Sequence, residues 1–81
     1  MPRKQSVRVQ GKVGYPTLLR QIRAQLDLSQ EELAHELGVS FASVNRWENG
    51  QSRPSKLAKV QINAFCAKMA GQGKLKLTGS I

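Results

Sequence analysis

The segment from Gln30 to Glu48 limits most strongly what this chain can fold into, because Gly38 divides it into two short amphipathic halves. Apolar residues recur on both sides of the glycine at the three- and four-residue steps of one helix face. These residues are Leu33, Ala34, Leu37, Val39, Val44 and Trp47. Glycine readily adopts the left-handed backbone of a turn that follows a helix. The pattern therefore predicts two steeply crossing helices and a tight turn, the second helix being anchored by its inner face.

The rest of the chain predicts an all-α domain. Helical spacing of apolar residues indicates four helices, over residues 17–26, 29–37, 40–49 and 55–69. Ser29 and Glu32 have the spacing of a capping box, and Ser40 is a candidate N-cap. We expect a wide inward stripe on the fourth helix, formed by Leu57, Val60, Ile62, Ala64, Phe65 and Met69. Trp47 is expected in the core, and Cys66 is expected to be a buried, inert thiol.

The chain length of 81 residues is that of one small domain. We assign residues 1–14 to a basic N-terminal arm, residues 15–70 to the helical domain and residues 71–81 to a C-terminal tail. Flexible basic termini are the simplest interpretation of the two ends. Residues 7–9 and 75–77 each alternate apolar and basic residues, so a short two-stranded pair remains an alternative.

The net charge of +8 indicates a polyanionic partner, either nucleic acid or an anionic membrane surface. The charge is uneven: residues 24–52 hold all five acids and one base, Arg46, whereas the two flanks hold six bases each and no acid. No run of about 18 apolar residues is present, so we expect a cytoplasmic protein without a membrane anchor. The single cysteine and the lone His35 argue against a zinc site, and no grouping of catalytic residues appears. We therefore expect no enzyme activity, no metal, no cofactor and no small-molecule ligand.

Four stretches of the chain resemble the Cro/C1-type (XRE) helix-turn-helix family of phage and bacterial repressors, namely residues 28–34, 38–40, 44–50 and 53–55. The resemblance extends over about residues 18–65. It implies a lambda-repressor-like fold, a compact bundle of four to five helices. It also implies a homodimer that binds double-stranded DNA and acts as a repressor-like regulator. In such a complex the third helix lies in the major groove, which is wide enough to admit one helix.

The resemblance also implies roles for individual side chains. The candidates for base contacts are Phe41, Ala42, Asn45 and Arg46. Arg46 suits guanine, Asn45 suits adenine, and Phe41 or Ala42 suits a thymine methyl group. For Phe41, packing within the protein is an equally good interpretation. The candidates for phosphate contacts are Gln30, Ser40, Ser43, Asn49, Arg53 and Lys56. Such contacts set register and affinity but carry no sequence information.

An ion pair between Arg23 and Glu48 is a separate prediction. In the family that the chain resembles, an arginine near the end of the first helix pairs with the glutamate before the Asn-Gly of the third. Independently, an unpaired carboxylate at Glu48 would lie near the DNA-facing surface and repel phosphate. We therefore expect a partly buried pair that holds the third helix in place.

Two other functions fit the sequence. The fold could serve as a protein-interaction module, as in some transcriptional coactivators, or as the DNA-reading part of a restriction or toxin–antitoxin system. The exposed positions of Arg46 and Asn45 and the basic flanks favour DNA binding over the interaction module.

Overall fold

Four α-helices make up most of residues 14–76, the part of the chain that the computed structural model describes. They are α1 (Tyr15–Leu26), α2 (Gln30–Leu37), α3 (Phe41–Glu48) and α4 (Lys56–Gly71). Within that part no residue is in a strand, so the expected all-α architecture is confirmed. The basic arm and the first of the two alternating segments lie outside the described residues.

Side chains just before the helices fix where three of them begin. Ser29 and Glu32 form the predicted capping box: Ser29 Oγ accepts from the Glu32 N–H at 3.0 Å, and the Ser29 N–H donates to the Glu32 carboxylate at 2.8 Å. Ser40 caps α3 and Ser55 caps α4, each hydroxyl accepting a backbone N–H three residues later at 3.1 Å. Each cap satisfies a backbone donor that the helix leaves unpaired.

The first helix begins two residues earlier than the predicted residue 17. Gly14 takes the N-cap position and Pro16 lies in the first turn. A proline there costs no hydrogen bond, because N–H groups of the first turn have no partner within the helix. The helix ends at Leu26 and is capped by Asp27, which adopts the left-handed backbone at φ 57° and donates its N–H to the Arg23 carbonyl. The Asp27–Leu28 link is therefore a defined helix cap.

The turn between α2 and α3 is built on Gly38. Its φ is +74°, and its N–H donates to the His35 carbonyl at 3.2 Å. The next N–H, of Val39, donates to the Ala34 carbonyl at 3.0 Å. These bonds satisfy carbonyls at the end of α2 and turn the chain sharply into α3.

The core lies where α3 meets α1 and α2, and α4 packs against α2. Its most deeply buried side chains are Leu19, Ile22, Leu33, Val44 and Ile62. The small Ala34 and the indole of Trp47 are also buried, so both were placed correctly from the sequence.

The inward face predicted for α4 is wrong in part. Leu57 and Val60 are 69% and 59% exposed, and Ala64 is exposed as well. The buried residues are Ala58, Ile62, Phe65, Cys66 and Met69. Because α4 is apolar on nearly all sides, the spacing of its apolar residues does not identify which side faces the core.

The packed part of the chain extends beyond the boundary expected at residue 70. After α4 the chain turns through Gly73, and Leu75 is buried in the core. Gln25 of α1 holds the next residue by both backbone groups: its Oε1 accepts the Lys76 N–H at 2.6 Å, and its Nε2 donates to the Lys76 carbonyl at 2.5 Å. This segment is therefore part of the domain.

Candidate nucleic-acid interface

The two sides of α3 differ in exposure. Val44 and Trp47 anchor the helix in the core. Four polar or small residues lie on the opposite side, at the spacing of one helix face, namely Ala42, Asn45, Arg46 and Asn49. Three of these are exposed and Asn45 is half-buried. The helix thus offers a side that other elements of the domain leave uncovered.

Phe41 begins α3 and is 48% exposed. It does not belong to the buried core, and about half of its side chain faces solvent. An aromatic ring left half in water at the edge of a polar helix face is available for contact with a partner.

Glu48, the last residue of α3, has a side chain only 2% exposed, and it is paired with Arg23 of α1. Arg23 Nε donates to Glu48 Oε2 at 2.7 Å, and Arg23 Nη2 donates to Glu48 Oε1 at 2.8 Å. This is the bidentate geometry in which guanidinium and carboxylate bind most strongly. Arg23 also donates to the Leu28 carbonyl at 3.3 Å, so one side chain joins α1, the α1–α2 link and α3.

Arg20 makes a second contact with Glu48 that the sequence analysis missed. Its Nη2 donates to the backbone carbonyl of Glu48 at 2.9 Å, and its Nε lies 3.8 Å from Glu48 Oε1. The available signal was its position one turn before Arg23, which places both arginines on the same face of α1. Both hold the C-terminal end of α3, where positive charge is favourable to the helix dipole.

The ionisation of Glu48 follows from these contacts. Burial pushes the pKa of the carboxyl upward, but hydrogen bonds from Arg23 and Gln30 and the charges of Arg23 and Arg20 outweigh it, so the pKa lies below its ordinary value. The hydrogen bond to Glu48 raises the pKa of Arg23 despite partial burial. The carboxylate is therefore ionised at neutral pH and its charge is compensated inside the domain.

Gln30, the first residue of α2, lies between Glu48 and the exposed side of α3. Its Nε2 donates to Glu48 Oε1 at 3.1 Å, and its Oε1 accepts from Asn45 Nδ2 at 3.1 Å. Asn45 Oδ1 in turn accepts from Asn49 Nδ2 at 3.2 Å. Three side-chain amides thus connect the buried carboxylate to the exposed side of α3.

The other candidate phosphate contacts lie at the two ends of α3 and beyond it. The hydroxyls of Ser40 and Ser43 are 2.9 Å apart at its N-terminal end. Arg53 is exposed in the loop after the helix, and Lys56 is exposed at the start of α4. The contacts described above join Gln30, Asn45 and Asn49 into one cluster and leave these four residues outside it.

Residues 14–76 contain neither a membrane-spanning helix nor a cluster of candidate metal ligands. No helix in this range is long and apolar enough to cross a membrane. Nor do three or more His, Cys, Asp or Glu side chains in the same range come together as metal ligands could. His35 is exposed on α2, and burial raises the pKa of the Cys66 thiol, which makes it a poorer nucleophile.

Known proteins are similar to this chain in the segment that contains α2 and α3. The family model described as helix-turn-helix matches residues 19–58. A candidate HTH-type transcriptional regulatory protein of Natronomonas pharaonis is 42% identical over 53 residues, which is 65% of this chain and 17% of that protein. The chain therefore spans less than one fifth of the length of this relative. No solved structure matches the chain.

Proposed function

Since residues 19–58 belong to the Cro/C1-type helix-turn-helix family, we propose that this domain binds double-stranded DNA sequence-specifically as a repressor-like transcriptional regulator. In the proposed complex α3 lies in the major groove. Arg46 and Asn45 address base edges there, and Phe41 or Ala42 contacts a thymine methyl group.

The observation that carries the proposal is the contrast between the two sides of α3. Its inner side is buried through Val44 and Trp47, whereas Ala42 and Arg46 are exposed on the other side. A helix held by one side on a rigid scaffold can enter a groove without rearrangement of the domain. The one acid in α3, Glu48, is turned inward and neutralised, so it does not oppose the approach of phosphate.

The positively charged side chains that follow α3 support the proposal, because they can contact the phosphates of the DNA backbone. Arg53 and Lys56 are exposed just after the helix, and Lys59 lies one turn further along α4. We assign phosphate contacts to these flanks, together with the Ser40 and Ser43 hydroxyls and Asn49. In this arrangement the flanks supply affinity, and the exposed side of α3 supplies the choice of sequence.

We further propose that the domain binds as a homodimer to two half-sites separated by about one helical turn, the usual geometry for this motif. Sedimentation of the protein with a duplex of the preferred sequence should show two chains per duplex. A stoichiometry of one chain per duplex at saturation would contradict the homodimer and leave DNA binding itself standing.

A binding titration against duplex DNA at several salt concentrations tests the proposal. If about six phosphates are neutralised, log K should fall with log salt with a slope near −0.9 per contact. Binding to a duplex selected from a random pool should exceed binding to an unrelated duplex. A flat salt response with no sequence preference would favour the alternative, a protein-interaction module.

Three alanine variants separate the assigned roles. Arg46→Ala should reduce discrimination between sequences, because it removes a base contact worth about 1–3 kcal/mol. Arg53→Ala should weaken binding to all duplexes alike. Lys68→Ala, which removes an exposed cation in the last turn of α4, is the matched control for loss of charge far along the chain from α3. Equal effects of all three would contradict the assignment.

A further inference from the structure

The residues that α3 leaves uncovered divide into an apolar end and a polar end. Phe41 and Ala42 begin the helix, and both are exposed. Asn45 and Arg46 follow toward its C-terminal end and carry the amide and guanidinium groups of this side. The two ends of the helix can therefore recognise different kinds of group on DNA.

The apolar end offers a base no side-chain hydrogen bond. Neither phenylalanine nor alanine has a polar side-chain atom, and the two hydroxyls beside Phe41 and Ala42 are engaged with each other. Ser40 Oγ accepts the Ser43 N–H at 3.1 Å and lies 2.9 Å from Ser43 Oγ. That contact takes up one hydroxyl proton, and the other remains for the phosphate contact proposed above. The N-terminal end of α3 therefore presents only side-chain carbon atoms to a base edge.

The major groove offers such a surface one kind of partner. The N-terminal residues of a recognition helix are those that contact base edges. Most of the groups that base pairs display in the groove are hydrogen-bond donors or acceptors, and the apolar group among them is the methyl group on C5 of thymine. The same methyl group is present in 5-methylcytosine, whereas uracil and cytosine lack it. A side chain without donors or acceptors can respond to this group and to no other feature of the base edge.

We infer that Phe41 recognises the C5 methyl group itself, whichever pyrimidine carries it, so that the domain distinguishes cytosine-methylated from unmethylated DNA. This inference rests on the proposed function of α3. Recognition of thymine alone would need a donor to its O4 atom, and Phe41 and Ala42 have none. Phe41 is 48% exposed in the free domain, so it has surface left to cover a methyl group. Removing one methyl group from water corresponds to about fourfold in affinity.

Two pairs of duplexes isolate the methyl group, because the members of each pair differ in nothing else. In the duplex selected by the wild-type protein, each thymine is replaced in turn by uracil, and each thymine–adenine pair in turn by 5-methylcytosine–guanine or cytosine–guanine. At one position thymine should bind about fourfold more tightly than uracil, and 5-methylcytosine about fourfold more tightly than cytosine. Elsewhere both ratios should stay below about twofold. Ratios near one at every position, a thymine preference without a 5-methylcytosine preference, or a selected sequence that requires no thymine would overturn the inference.

Variants of the protein test whether Phe41 makes the contact. Phe41→Ala should bring both ratios at that position below about twofold. Leu57→Ala is the matched control and should leave both ratios unchanged, because Leu57 is an apolar residue of α4 that is 69% exposed. A methyl effect that persists in Phe41→Ala would show that the methyl group acts through the shape of the DNA, and would overturn the inference. Thermal unfolding shows whether each variant is folded at the temperature of the assay, and Phe41→Ser replaces Phe41→Ala should the latter not fold.

Salt dependence and Arg46→Ala separate this inference from the proposed function. Contact with a methyl group neutralises no phosphate, so the ratio of thymine to uracil affinity should stay constant between about 50 and 200 mM salt while both affinities fall. Arg46→Ala should reduce discrimination at other positions and leave this ratio unchanged, since Arg46 follows Phe41 by more than one turn of α3. A sequence preference without a methyl effect would overturn the inference alone. Binding without any sequence preference would overturn the proposed function of α3, and the inference with it.

Discussion

Glu48 is the one charged residue that is buried in the described part of the chain, and it shows how a single residue can determine the position of a helix. Removing a carboxylate from water is costly unless charge and hydrogen bonds compensate it. Here the compensation comes from Arg23 on α1 and Gln30 on α2. The end of α3 is therefore bound to both preceding helices through one side chain.

Loss of Arg23 should destabilise the domain much more than loss of Arg20. Arg23→Met leaves the buried carboxylate without its bidentate partner, which typically costs about 3–5 kcal/mol. Arg20→Met should cost less than about 1 kcal/mol, since the Arg20 side chain is 58% exposed and its Nε lies 3.8 Å from the carboxylate. Urea unfolding of the two variants measures the difference, and equal losses would contradict the asymmetry.

Acid should weaken the domain through the same carboxyl group. The pKa of Glu48 is lowered in the folded protein, so its stabilisation is present above the unfolded value of about 4.3 and is lost as pH falls through the lower folded value. The difference in unfolding free energy between wild type and Glu48→Gln should therefore be largest near pH 7 and shrink below about pH 4. Urea titrations at several pH values measure it. A difference that stays constant down to pH 3 would mean that ionisation of Glu48 does not stabilise the fold.

The sequence was informative about this site where charge was involved and uninformative where it was not. The family resemblance implied the pair of Arg23 with Glu48, and the cost of an unpaired carboxylate near the DNA-facing surface independently indicated that Glu48 needs a partner. Gln30, Asn45 and Asn49 are amides that each can donate and accept, so their residue types permit many arrangements. Which of these forms depends on side-chain distances across the α2–α3 crossing, and those appear only in the structure.

At the scale of the helices, several helix boundaries are set by local signals that can be recognised in the sequence. The Ser29 and Ser40 caps and the Gly38 turn were predictable, because each depends on residues only a few positions apart. The inward face of α4 was not predictable, since that helix has apolar residues on several sides. Its orientation is set by packing against the rest of the domain, α2 included, which buries Ile62 and Phe65 and leaves Leu57 exposed.

Gly38→Ala should destabilise the domain by about 1 kcal/mol. The cost comes from the backbone, because φ is +74° and a side chain in the left-handed region is strained. Space is not the obstacle, as the nearest atom to an added Cβ would be Gln61 Nε2 at 3.7 Å. Gly71→Ala is the matched control: that glycine is within α4 and has no atom within 4 Å, so alanine should be neutral or stabilising. Thermal unfolding compares the two, and a neutral Gly38→Ala would show that the turn does not need glycine.

At the scale of the whole molecule, charge and packing are distributed differently along the chain. The basic excess lies in the two flanks, and the helix-turn-helix between them is acidic. Packing, by contrast, continues into the C-terminal flank, where Leu75 enters the core. A segment that appeared from composition to be only a basic tail thus also contributes to stability. The sequence did not reveal this, because the alternation of apolar and basic residues over 75–77 is typical of a strand and does not predict a contact with the helices.

Leu75→Ala should destabilise the whole domain while leaving its choice of DNA sequence unchanged. Truncation of a buried leucine typically costs about 2–5 kcal/mol. Gln25→Ala should cost about 1 kcal/mol, because both of its hydrogen bonds to Lys76 are lost at an exposed position. Lys74→Ala, an exposed neighbour, is the control and should unfold at the wild-type temperature. Since Leu75 lies outside α3, discrimination between duplexes measured well below the unfolding temperature should equal that of wild type. A loss of discrimination in Leu75→Ala at full folding would mean that the C-terminal segment takes part in recognition, and wild-type stability would mean that its burial adds nothing to the core.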